Sequence, residues 1–474
     1  MSQKITAGRF TKNVVVSLAA QIVSLAVGFV LNLIVPKFID EFQYSYWQMY
    51  ILYVGYVGVL HFGLLDGLVL RYSQYDYEEL DKARIRSQFQ FLLFFTSLIS
   101  AVAIAVALIF TDAEARYILI FVALGVMSKN MFTYNSYSFQ ITNRINRYAT
   151  VVIVQKAAYG LAVLLLLVGR VNDFRLFCLC DIFGDIAATV VAVFFNRGMY
   201  FGKSLPPRET MREVGRNVSA GIILMLANFS ASLIIGGAKM MAQWRWDELT
   251  FGKVSFAFSL LSVFTTFITA VSVVLFPSLK RLDPETLPAL YKKLRSAVSL
   301  LLFFIMIAYF PACFVLHRWL PQYDESLVYL GYLLPIIIFS SKVTLLTNNY
   351  LKVYRKERAM MVVNLSSGAL GFLLFFLTAY VFDSLTALLF SIVFVIMANS
   401  VASEIVVFRV IGERVVLEYI IEFFMVAAFL AAARLPSLWL GFAVYAAALA
   451  VYFAVHYKSI AAVLGKIFRR RRTS

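Results

Sequence analysis

The sequence predicts an all-α polytopic membrane protein of about fourteen transmembrane helices: two pseudo-symmetric six-helix bundles, then two further helices. Three observations predict it. The 474 residues are 61% hydrophobic and 15% charged, with mean hydropathy +0.81, more apolar surface than a water-soluble chain buries. Apolar stretches of about 20 residues, the length that crosses a bilayer core of about 30 Å as a helix, alternate with short connections. Lipid offers no partners to backbone polar groups, and unbroken apolar runs favour helices over a barrel. Finally, every second connection is basic. Of the 43 Lys and Arg, 31 fall in connections on one side, among them Arg469, Arg470, Arg471 and Arg472 at the tail. Basic connections stay in the cytoplasm, so both ends are expected there.

Taken in order, the helices are expected at 13–36, 45–69, 89–110, 117–139, 149–168 and 175–196. A connection with Arg197, Lys203, Pro206, Pro207, Arg208, Arg212 and Arg216 follows. The next six are expected at 218–237, 252–276, 297–316, 327–350, 360–381 and 386–408, and two more at 416–433 and 437–456. This gives a first lobe at 1–200, a second at 201–410, and two extra helices with a basic tail at 411–474. Six helices per lobe leave both lobes in the same orientation, so a repeat would be parallel. Local echoes agree with one: Lys12-Asn13-Val14 opens the first helix and Arg216-Asn217-Val218 the seventh. Arg144 and Arg147 follow the fourth helix as Arg355 and Arg358 follow the tenth.

The net charge of +17 lies in membrane-surface loops, where anionic lipids attract it, so no nucleic acid partner is expected. Cys178, Cys180 and Cys313 sit in apolar stretches and suggest no metal site. Lys4, Arg9 and Lys12 precede an apolar stretch too long for a signal core, and no cleavable signal peptide is expected. The five tryptophans, Trp47, Trp244, Trp246, Trp319 and Trp439, fall near outer helix ends as an interfacial belt.

Ionisable residues within spans are costly and tend to face a cavity or a partner. Lys129, Lys156 and Lys342 qualify. Lys129 and Lys342 lie on equivalent helices and are expected to bring two ammonium groups to a central cavity, where they would suit an anion of two or more charges. Lys156 is near a helix end and can also snorkel. Asn130, Tyr134 and Asn228 are polar neighbours of such a cavity, although Ser, Thr and Asn also join helices by hydrogen bonds. Asp181 and Asp185, four apart on one face, and Glu404 are candidates to carry a coupling H+ or Na+; the alternative is static pairing with the lysines. No catalytic residue, metal or other cofactor is expected. Asp66 and Arg71 are expected to pair locally, and Glu418 and Glu422 to meet basic loop residues near the cytoplasmic surface.

Several segments resemble the polysaccharide flippases of the multidrug/oligosaccharidyl-lipid/polysaccharide exporter superfamily. They are Asn13 to Gln21 leading into Asn32-Leu33-Ile34-Val35-Pro36, Phe62-Gly63-Leu64-Leu65-Asp66-Gly67 followed by Arg71-Tyr72, and Leu275 to Leu282 after the eighth helix. The segment Asp40 to Ser45 departs from the glycine-containing turn common there. The resemblance implies a MATE-like fold in a bacterial cytoplasmic membrane. It also implies alternating-access transport of a polyprenyl-pyrophosphate-linked oligosaccharide, a cell-surface glycan precursor, to the outer leaflet. Expected partners are that lipid-linked glycan, membrane lipids and other polysaccharide-assembly membrane proteins. An ion-coupled multidrug or cation antiporter of the same fold would want acids dominating the cavity. A glycan polymerase or ligase would need a long outer loop, which the sequence lacks. A lipid scramblase without ion coupling shares every feature noted.

Overall fold

The computed structural model describes residues 19–279, 283–412 and 416–470, and among them every element is a helix. Lys4, Arg9, Lys12, the start of the first predicted helix, Lys280 to Leu282 and Arg471 to Arg472 lie outside the described residues. In chain order the spans are α1 (Ala19–Phe38), α2 (the bent pair Glu41–His61 and Leu64–Tyr72), α3 (Lys82–Phe110), α4 (Ala113–Ile141), α5 (Ile145–Val168), α6 (Phe174–Phe195) and α7 (Pro207–Arg245). Then come α8 (Glu248–Leu279), α9 (Leu287–Trp319), α10 (the bent pair Pro321–Leu333 and Ile336–Val353), α11 (Glu357–Val381), α12 (Leu385–Ile411), α13 (Val416–Ala432) and α14 (Leu438–Arg470). Among the described residues ten helices are long and apolar enough to cross a membrane, twelve when each bent pair is one span. Helices α13 and α14 stand where the sequence puts its two extra helices. The chain is a multi-pass membrane protein. The apolar stretch of α3, for example, has hydropathy 2.6 yet is only 22% buried by the protein, so lipid must cover the rest.

Short polar residues start the helices. The Asp81 side chain accepts the Arg84 N–H at the head of α3, Asp173 accepts the Arg175 N–H at α6, and Ser384 accepts the Ala387 N–H at α12; each satisfies a donor the helix leaves unpaired. The breaks have local causes. In α2 the backbone turns left-handed at Phe62 (φ 50°) and Gly63 (φ 78°), and the halves bend by 56°. In α10 Pro335 brings no N–H to the ladder, and the bend is 48°. A π-turn over Val343–Thr347 follows directly after Lys342, a distortion common at functional positions. The repeat suggested by sequence has a backbone echo. Asn143 after α4 and Arg355 after α10 take left-handed φ of 51° and 54°, and Arg170 after α5 and Asp383 after α11 take 53° and 47°.

The chain divides into two compact units, Met1–Gly252 and Lys253–Ser474. Helix α7, grouped with the second lobe by the sequence, packs within the first unit against the Leu64–Tyr72 half of α2. Glycines allow that contact: a Cβ on Gly67 would stand 1.9 Å from the Asn217 carbonyl oxygen, and one on Gly221 2.1 Å from that of Gly63. One belt assignment needs correction. Trp47 is 1% exposed and packs on Tyr44 and Phe177, because it sits on the inward face of α2. Trp244, Trp319 and Trp439 are exposed.

Candidate functional site

The intramembrane lysines and acids expected to line a cavity or carry a coupling ion gather into two clusters, one in each unit. In the first unit, α6 carries Asp181 and Asp185 one turn apart, and α4 carries Lys129 opposite them. Lys129 Nζ lies 2.8 Å from Asp181 Oδ1 and 3.0 Å from Asp185 Oδ2. The remaining carboxylate oxygens are occupied too. Tyr50 donates to Asp181 Oδ2 at 2.9 Å, Ser128 to Asp185 Oδ2 at 3.0 Å, and the Gln155 amide to Asp185 Oδ1 at 3.1 Å. Gly184 lets α5 and α6 close here, since its Cβ would meet the Gln155 carbonyl oxygen at 2.8 Å. Lys156, beside Gln155, couples electrostatically to Lys129, Asp181 and Asp185, but makes no hydrogen bond or ion pair among the described residues. The cluster is therefore two lysines and two aspartates, formally neutral, with one lysine uncommitted. It is also partly open: the Lys129 side chain is 24% exposed, against 7% for Asp181 and none for Asp185.

In the second unit four elements converge. Lys342 Nζ from α10 lies 3.0 Å from Glu404 Oε2 of α12 and 2.7 Å from Glu422 Oε2 of α13. Arg295 from α9 donates through Nε to Glu404 Oε1 at 2.8 Å and through Nη2 to Glu404 Oε2 at 3.2 Å, and its Nη2 lies 3.1 Å from Glu422 Oε1. Tyr291 adds a hydrogen bond to Glu404 at 3.0 Å and Ser299 one to Glu422 at 3.0 Å. This quartet is also neutral, but none of its four charged side chains is more than 2% exposed. Buried charge of this kind persists only when paired and hydrogen-bonded.

The structure thus unites Lys129, Lys156, Asp181 and Asp185, and separately Lys342 and Glu404. Lys342, expected to face a cavity, is enclosed instead: both carboxylates reach it, and no surface remains. Asn130 is fully buried and donates to the Val57 and Val126 carbonyls at 3.2 and 2.7 Å; Tyr134, equally buried, donates to the Ile85 carbonyl at 3.3 Å. Asn228 is on the exposed face of α7. Two further expectations are corrected. Glu422 sits in the sealed quartet rather than at basic loops, because α13 packs its Glu422 face on α9. Arg71 turns from Asp66 to Glu213 at 3.1 Å and to Asn217, while Asp66 lies 3.8 Å from His61 Nε2.

Sequence reasoning missed Arg295, assigned to a basic connection because the apolar window begins just after it. The only signal was its place one helical turn before Ser299 on a helix that starts at Leu287. Among the described residues no group of His, Cys, Asp and Glu could hold a metal ion, and the three cysteines are buried and unbridged.

No family and no curated protein matches the sequence. Among solved structures, the chain is similar to the lipid II flippase MurJ in an inward closed conformation, with a TM-score of 0.67 and 8% identity over 95% of this chain and 99% of that one. It is similar to the inward-facing conformation of a multidrug resistance MATE family transporter of the MOP superfamily, with a TM-score of 0.60 and 12% identity over 84% and 98% of the two chains. A MATE mutant gives 0.55 and 11% over 85% and 96%. At such identities the likeness is one of fold, and the chain has the all-α, MATE-like fold that these transporters share.

Proposed function

We propose that the protein is a flippase rather than an enzyme. In this reading it moves a polyprenyl-pyrophosphate-linked oligosaccharide from the inner to the outer leaflet of a bacterial cytoplasmic membrane by alternating access, with both termini in the cytoplasm. The fold supports transport but is common to flippases and drug transporters, so the choice rests on site chemistry. The observation that carries it is the partly open cluster of the first unit, where Lys129 is 24% exposed and Lys156 makes no ion pair among the described residues. A pyrophosphate brings the negative charge that such a pair attracts. Lys156 is the group free to meet it, and Lys129 the one able to share itself between Asp181 and the ligand. The glycan would occupy the polar interior, and the polyprenyl chain would remain in lipid.

The cation-antiporter reading draws on the same acids, but these are already engaged. Asp181 accepts from Tyr50 and Lys129, and Asp185 from Ser128, Gln155 and Lys129, so neither of these carboxylates is disposed toward an organic cation. A polymerase or ligase would need an ordered outer domain, and the connections among the described spans are short. Native mass spectrometry of the detergent-purified protein tests the proposal by comparing undecaprenyl pyrophosphate with organic cations. Selective pyrophosphate binding that weakens in Lys129→Gln and Lys156→Gln is expected. Cation binding without pyrophosphate binding would overturn the reading in favour of the antiporter.

A further inference from the structure

A second basic site lies away from the lysine cluster. Where α2 ends, a shallow surface depression, open over most of its extent and with about 670 Å3 of space, is lined by Arg71, Arg212, Gly215, Arg216, Ser219 and Ala220. Arg71 comes from the last turn of α2. The others come from the early turns of α7, where Arg212, Gly215, Arg216 and Ser219 fall three or four apart and share one face. The floor is small-sided: a Cβ at Gly215 would meet nothing within 4 Å. Among the described residues, every charged residue lining the depression is an arginine. One carboxylate, Glu213, stands behind them and is shared, 3.1 Å from Arg71 Nη2 and 2.5 Å from Arg216 Nη1, with the Tyr72 hydroxyl donating to it at 3.3 Å. Arg212 makes no hydrogen bond or ion pair among the described residues. Among the described residues Glu213 pairs with Arg71 and Arg216, and Arg212 beside them is left without a counter-charge facing an open space. Guanidinium forks fit phosphate oxygens better than point charges do, and the pairing is charge-assisted.

We propose that this depression is an anion site for a phosphate-bearing dianion, with Arg212 as the uncommitted anchor and Arg71 and Arg216 turning part of their donors from Glu213 to the ligand. Ser219 adds a neutral hydroxyl donor. Both segments that form the site, the end of α2 and the head of α7, belong to connections the charge pattern assigns to the cytoplasm. With that orientation the site would meet anions on the cytoplasmic side. Assigning the anion to a diphosphate lipid headgroup rests on the flippase reading; the anion site itself does not.

The experiment is titration of the full-length protein in detergent with inorganic pyrophosphate, followed by native mass spectrometry, using wild type, Arg212→Gln and Arg212→Gln/Arg216→Gln. Loss of a charged hydrogen-bond donor weakens binding roughly tenfold, so the single variant is expected to lose about tenfold and the double variant more. Arg212→Gln touches no partner, so its folding is not at issue. Undecaprenyl phosphate is then added as competitor: displacement of pyrophosphate identifies a lipid source, and its absence identifies a soluble phosphate compound occupying the same site. Equal pyrophosphate binding by wild type and the double variant, or none by wild type, overturns the site. Lys129→Gln, run alongside, separates the two proposals. Arginine-dependent binding insensitive to Lys129 leaves the anion site standing if the flippase reading fails, and the converse keeps the flippase and discards this site.

Discussion

The sealed quartet of the second unit makes a quantitative prediction. Lys342, Arg295, Glu404 and Glu422 form a neutral set with at most 2% of any side chain exposed. Removing one charge leaves another uncompensated in an environment that cannot solvate it, at a cost of about 3–5 kcal/mol. Lys342→Met leaves one arginine facing two glutamates; Glu422→Gln leaves two cations facing one. Each single change should lower the melting temperature of the purified protein by roughly 6–20 °C, taking about 2–4 °C per kcal/mol for a unit of this size. The double variant Lys342→Met/Glu422→Gln restores neutrality, because Arg295 still bridges Glu404 through two nitrogens. It should therefore be more stable than the sum of the singles by several kcal/mol, a coupling that a double-mutant cycle reads directly. Thermal unfolding followed by intrinsic fluorescence in detergent supplies the four values. Singles that melt with the wild type, or a double variant equal to their sum, would show that the quartet does not hold charge in the way its geometry implies.

Three further outcomes follow from the same structure. Gly67→Ala forces a Cβ to within 1.9 Å of the Asn217 carbonyl oxygen and should destabilise the protein by about 1–3 kcal/mol, whereas Gly215→Ala, with open space around it, should be neutral or slightly stabilising; equal melting of the two would refute the close α2–α7 contact. Lys156→Gln should weaken undecaprenyl pyrophosphate binding roughly tenfold while leaving the melting temperature near that of the wild type, since no ion pair is lost. The native cysteines are buried, so single cysteines can report sidedness against a silent background. A membrane-impermeant maleimide should label Asp112→Cys and Asp383→Cys in intact cells but not Lys203→Cys or Lys352→Cys, and the reverse pattern would invert the proposed topology.

Periodic, local features were legible from the sequence, and partners distant along the chain were not. Apolar length and loop charge located the spans, since each is a property of a continuous window. The segment Phe62 to Gly67 stood out by resemblance alone. The structure gives its physical content: left-handed backbone at Phe62 and Gly63 breaks α2, and Gly67 admits the backbone of α7. Arg71 was paired with Asp66 because Asp66 is near in sequence, whereas Glu213 lies 142 residues away. Arg295 falls just outside the apolar window at 297–316 and Glu422 is expected at basic loops, because their partners are on other helices. These errors bear on function. Sequence alone makes Lys129 and Lys342 equivalent, and as many residues separate them as separate Arg170 from Asp383, where the backbone does repeat. Their surroundings do not repeat. Lys342 gained a second cation and a glutamate from α13, an element outside the six-plus-six pattern, and lost all exposure. Lys129 has two aspartates on a single helix, a second lysine left uncommitted, and a quarter of its surface open. A site that binds and releases an anion needs cationic groups whose pairing is incomplete, so the asymmetry favours, within the proposed reading, an exchangeable role for the first cluster and a structural one for the second. The double-mutant cycle and Lys156→Gln test these roles separately, since the cycle is read in stability and Lys156→Gln in ligand affinity.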